Sequence, residues 1–130
     1  MADIDPMELL EVELSSGERE ALRDGIAAGE NWKLRMWYGH AVHRATKREL
    51  NKRFPGKFEY NTSFGPDFTD TRNGAKIEVT TVGEIPKHMS RAAKNPDYTR
   101  TTYVRYGMSN AQYHSMLSQL GRMSNEAAMG

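Results

Sequence analysis

A chain of 130 residues is the length of one domain and can bury about two-thirds of its unfolded surface in a single core. Hydrophobic residues make up 38% and charged residues 27%, an ordinary balance for an α/β domain, and no apolar stretch is long enough for a membrane span or a signal peptide. The absence of cysteine excludes disulfides and thiolate metal sites, so the fold is indifferent to redox compartment.

The formal net charge of +1 hides an asymmetry: residues 1–30 hold nine acidic and two basic side chains, and residues 31–130 hold eight acidic and sixteen basic. A basic segment of this kind points to a polyanionic partner, and equally to a plain solvated surface.

In chain order, residues 1–16 form an acidic segment with an apolar cluster at Met7, Leu9, Leu10, Val12 and Leu14 and no firm period. It reads as a leader or linker, or as a segment packing on the domain formed by residues 17–130. Ser16, followed by Glu18 and ended by Gly29, predicts a short helix over 18–28 with a capping serine and an acidic first turn. Asn31 as N-cap and Pro55-Gly56 as stop predict a long helix over 31–53. Its apolar stripe runs Leu34, Tyr38, Ala41, Ala45 and continues to Glu49. A carboxylate on such a stripe needs a partner or a task, unless it escapes to solvent and pairs with Arg53 one turn on.

Beyond Gly56 the period changes from helical to alternating. Strands are predicted over 57–62, 64–71 and 75–81, with Asn73-Gly74 as a hairpin turn between the last two. A helix over 84–94, a strand over 101–106 and a final helix over 109–120 follow. The core order is therefore helix, three strands, helix, strand, with an extra helix at each end.

Two carboxylates stand out in this layout. Asp67 follows Pro66 beside the second strand, and Glu78 opens the run Glu78-Val79-Thr80-Thr81 on the third. Adjacent hairpin arms can bring such a pair to one divalent cation. Two carboxylates, waters and phosphate oxygens make the all-oxygen shell that Mg²⁺ prefers. Asp70 reads either as a metal ligand or as a turn residue bonding its own backbone, and the turn is the favoured reading. The aromatic residues Trp32, Trp37, Tyr38, Phe58, Tyr60, Phe64 and Phe68 read as core.

With the αβββαβ order, these motifs give the chain a resemblance over residues 31–106 to the PD-(D/E)xK, or restriction-endonuclease-like, nucleases. It looks most like the small nuclease domains at the C-termini of bacterial polymorphic and contact-dependent inhibition toxins, where Pro-Asp precedes a Glu-x-Thr-Thr strand. The resemblance implies an α/β restriction-endonuclease-like core and Mg²⁺-dependent cleavage of DNA or tRNA, with Asp67 and Glu78 as metal ligands and Glu49 as a possible third acid. It also implies delivery by a larger effector into the target-cell cytoplasm, and a cognate immunity protein that covers the site with an acidic face. The family lysine two residues beyond the strand carboxylate is Thr80 here. Lys76, two residues before Glu78 and so on its side of the strand, is the better replacement, ahead of Lys87.

His40, His43 and Lys47, flanked by Arg44 and Arg48, put a cationic strip on one edge of the long helix, suited to holding a nucleic-acid backbone. The resemblance makes His88 a general acid or phosphate contact, whereas its position alone, a lone histidine at a helix start, favours a surface or hydrogen-bonded structural residue. Two alternatives stay open. One is a metal-independent ribonuclease with His40, His43 or His88 as base beside Thr80. The other is a non-catalytic module that docks its basic helix on nucleic acid or acidic protein.

Overall fold

In a computed structural model, which describes residues 5–61, 67–81, 86–87, 89–90 and 101–129, the chain is a mixed α/β protein. Four described helices, α1 (Pro6–Glu13), α2 (Ser16–Ala27), α3 (Trp32–Arg53) and α4 (Asn110–Met129), accompany four strands: β1 (Phe58–Tyr60), β2 (Phe68–Asp70), β3 (Lys76–Thr81) and β4 (Thr101–Tyr106). The contacts divide into two compact units, Met1–Ala45 with Met108–Gly130, and Thr46–Gly107.

The first unit is helical. Asp5 accepts the Glu8 N–H, and Pro6 sits where a helix needs no donor. The acidic segment is thereby a helix whose Leu9 and Leu10, with the following Leu14, are buried. In α2 the N-cap is Ser15, one residue earlier than expected: Ser15 Oγ accepts the Glu18 N–H while Glu18 Oε1 accepts the Ser15 N–H, a closed capping box. Ser109 and Gln112 repeat this reciprocal pair ahead of α4. The last helix packs against α2 and α1 through buried Met116 and Leu120 and runs on to Met129, past the expected end at residue 120. The predicted stripe of α3 is buried at Leu34, Tyr38, Ala41 and Ala45.

The second unit holds the last turns of α3 and the sheet. Strand order is β1-β2-β3-β4. The first three strands form the predicted antiparallel meander, and β4 lies parallel to β3. Paired residues share a face and neighbours along a strand alternate faces. One face therefore carries Phe58, Tyr60, Phe68, Ile77 and Val79. Phe68 and Val79 are buried there, each burial stabilising by about 1.5–3 kcal/mol. The end of α3 lies on this face, with Phe54 edge-on to Phe58 and Lys47 Nζ 5.0 Å from the Tyr60 ring centroid. The opposite face carries Thr69, Lys76, Glu78, Thr80, Tyr103 and Arg105. Of the predicted helix over 84–94, the described residues Pro86, Lys87, Met89 and Ser90 are helical and exposed.

Candidate functional site

The polar face of the sheet is where the two predicted carboxylates meet. Phe68 stands opposite Ile77 and Thr69 opposite Lys76, so the same register continues to Asp67 opposite Glu78. The peptide N–H of Asp67 donates to Glu78 Oε1 at 3.2 Å, and the Val79 N–H donates to Asp67 Oδ2 at 2.6 Å. Glu78 is buried at 4% exposure, and Asp67 is half-buried. Like charges directly across a strand pair repel, and a buried carboxylate is costly unless it is hydrogen-bonded or paired. A cation at this point would lower both costs.

The donor set fits a hard divalent ion: both groups offer oxygen only, and each has one oxygen oriented by a backbone N–H, as outer hydrogen bonds orient metal ligands. Among the described residues no group of three or more His, Asp or Glu side chains is arranged to hold a metal. A cation here would complete its shell with water and phosphate oxygen.

Around this pair the sheet register arranges further side chains. Lys76 starts from the same face, and its ammonium donates to Thr69 Oγ1 at 3.3 Å, across from it on β2. Thr80 is on this face too, buried at 5% exposure. On β4, Tyr103 pairs with Glu78 and Arg105 pairs with Thr80. Sequence reasoning did not bring Arg105 or Tyr103 to this site. A parallel pairing between strands 20 residues apart in sequence has no local signature, although the β-rich run 101–106 marks the strand itself.

Other sequence-predicted residues are not gathered here. Glu49 accepts from Arg53 Nε at 2.6 Å at the surface, which lowers its pKa, so it leaves the apolar stripe by the i, i+4 route and does not join a third-acid cluster. Lys47 rests on Tyr60, on the opposite sheet face from the carboxylates, and Arg48 is exposed. Asp70 is a turn residue, as expected: it accepts the Arg72 N–H at 2.9 Å and is clamped by the Arg72 guanidinium, which holds its carboxyl below the usual range. Pro66 and His88 lie outside the described residues.

The upper part of the cationic strip belongs to the helical unit. His43 Nδ1 lies 2.7 Å from the Gly39 carbonyl, and since a carbonyl only accepts, that nitrogen carries the proton. His40 packs against Trp37, and partial burial, reinforced by the positive charge of Arg44 and the neighbouring His43, lowers its pKa. Arg44 donates from both terminal nitrogens to Glu18 at 2.6 Å and also reaches the Glu13 carbonyl. The strip is thus partly neutralised by the acidic helix beside it. Comparison with protein-family models, with curated proteins and with solved structures finds no match for this chain.

Proposed function

We propose that this chain is a nuclease domain with a restriction-endonuclease-like core, of the kind carried by bacterial toxins, and that it hydrolyses phosphodiester bonds of DNA or tRNA using a divalent cation. The observation that carries this reading is the meeting of Asp67 and Glu78 on one sheet face, each oriented by a backbone N–H from the strand that bears the other. The order α3, three antiparallel strands, then β4 parallel to β3 agrees with it.

Asp67 and Glu78 would hold Mg²⁺, which when bound polarises a phosphoryl oxygen and acidifies a bound water. Lys76, within the same face, is an available cation for the phosphate or for orienting water. Thr80 contributes a hydroxyl but no charge. A domain of this type acts in the cytoplasm of a target cell after delivery by a larger protein, and the producing cell holds an immunity protein with an acidic contact face.

The test is incubation of the purified protein with plasmid DNA and with total RNA, with Mg²⁺ or with chelator, beside the Asp67→Asn variant. Cleavage that needs Mg²⁺ and disappears in the variant is the expected result. Cleavage of RNA that persists in chelator would transfer the activity to the histidine-dependent ribonuclease alternative. Binding without cleavage in every arm would leave a docking module.

A further inference from the structure

The site needs a positive charge against the phosphate, and position 80, where the resemblance puts a lysine, is a buried threonine. The parallel register of β3 and β4 sets Arg105 directly beside Thr80, just as it sets Tyr103 beside Glu78. Adjacent strands lie about 4.8 Å apart, so Arg105 leaves the same sheet face as the two carboxylates, one strand over from the vacant lysine position.

Of the other charges in this unit, Arg72 is clamped on Asp70 and Arg53 on Glu49, both away from the carboxylate face, and Lys76, which shares that face, also donates to Thr69. Arg105 is exposed, and among the described residues it forms no ion pair. The structure assigns to Arg105 the phosphate-contacting charge of this site: its guanidinium grips the non-bridging oxygens of the scissile phosphate in place of the absent lysine. This rests on the nuclease reading above and deepens it.

The chemistry of arginine narrows the role. A guanidinium offers N–H donors and no acceptor, so the role of Arg105 is to bind and neutralise the phosphate, not to take a proton from water. Its planar fork offers two parallel N–H donors to two phosphate oxygens, which a lysine cannot do. Charge that grows on those oxygens in the transition state is met by donors already in place, and the effect falls on turnover more than on substrate binding.

The test compares the parent, Asp67→Asn, Arg105→Lys and Arg105→Ala on the cleaved substrate in Mg²⁺, with thermal melting as the control for folding. Arg105→Ala is expected to lower kcat on the order of 100-fold with KM changed by less than about threefold, and Arg105→Lys to fall between it and the parent. Added methylguanidinium is expected to restore part of the Arg105→Ala activity, leaving Asp67→Asn inactive. A purely structural role for the side chain would give no such rescue.

If Arg105→Ala cleaves within twofold of the parent while Asp67→Asn is dead, the assignment to Arg105 is wrong and the nuclease reading stands. A folded Arg105→Ala that methylguanidinium does not restore overturns it likewise, as does a rise in KM with kcat unchanged. A parent that cleaves nothing overturns both.

Discussion

Asp67 and Glu78 are tied to each other through the backbone: the Asp67 N–H donates to Glu78 Oε1 at 3.2 Å, while Asp67 Oδ2 accepts the N–H of Val79, the next residue after Glu78, at 2.6 Å. Each carboxylate fixes the strand that carries the other. Substitution at either position therefore has a structural effect separate from its chemical one.

At Asp67 the two effects come apart by choice of replacement. Asparagine keeps an oxygen for the Val79 N–H and loses only the charge, so Asp67→Asn should cost about 1 kcal/mol, the difference between a charged and a neutral hydrogen bond. Alanine removes the acceptor from a donor on a strand residue that is 4% exposed, and Asp67→Ala should cost about 1–3 kcal/mol. Both should abolish cleavage. Urea denaturation checks the ranking, and equal losses for the two variants would mean that the acceptor at Val79 does not matter.

Magnesium should stabilise the protein through the same pair. A ligand that binds only the folded state at 100 times its Kd adds about 2.7 kcal/mol, and here it also relieves the repulsion between facing carboxylates. Melting curves should rise with Mg²⁺ for the parent and stay flat for Glu78→Gln. Without metal, Glu78→Gln should melt close to the parent: the amide keeps an oxygen for the Asp67 N–H, and the charge lost from that longer, 3.2 Å bond is offset by removal of one of the two like charges. A Mg²⁺-dependent rise of equal size in Glu78→Gln would place the ion elsewhere.

Much of this arrangement was legible in the sequence because it rests on short-range signals. The alternation from Phe58 to Tyr60, the Asn73-Gly74 turn and the β-branched run to Thr81 fix an antiparallel pair, and the pair brings Asp67 to Glu78. What escaped was of two kinds. The eight residues of α1 bury only Pro6, Leu9 and Leu10, too few repeats to show a period, and Gly121 in α4 weakens a helix by about 1 kcal/mol without ending it. Arg105 escaped because its place beside Thr80 is set by a non-local parallel register. Glu49 shows the opposite failure: a residue can continue an apolar stripe by spacing and still turn its flexible end to Arg53 and solvent.

In the helical unit, the Glu18 carboxylate is bonded by the Arg44 guanidinium and by the Ser15 N–H, which brings its pKa down from 4.5 to about 2. A carboxyl whose folded pKa is depressed contributes stability that is complete above its unfolded value and is lost as the pH falls through its folded value. The window here is from 4.5 down to about 2. Both partners are partly open to solvent, so Glu18→Gln should cost about 1 kcal/mol at neutral pH. The parent and the variant should converge in stability near pH 2. Chemical denaturation across that range, with the Glu18 titration followed by NMR, checks both the size and the sign.

The turn between β2 and β3 decides whether the two carboxylates share a face at all, because a slip of one residue would send Asp67 to the other side of the sheet from Glu78. Gly74 sits at φ 73°, a backbone conformation that costs other residues roughly 1–2 kcal/mol. Around it the Gly74 N–H donates to the Asp70 carbonyl at 2.8 Å, the Asp70 N–H to the Ala75 carbonyl at 2.7 Å, and Asn73 Oδ1 accepts the Ala75 N–H at 2.9 Å. A Cβ at Gly74 would meet nothing within 4 Å, so the cost of Gly74→Ala is conformational and not steric crowding. It should destabilise by about 1–2 kcal/mol while leaving kcat of the folded protein near the parental value, and Gly74→Asn should lose less, since asparagine tolerates this region. Denaturation paired with turnover measures both quantities. A collapse of kcat in a Gly74→Ala variant that keeps its stability would mean that the turn had re-registered and parted Asp67 from Glu78.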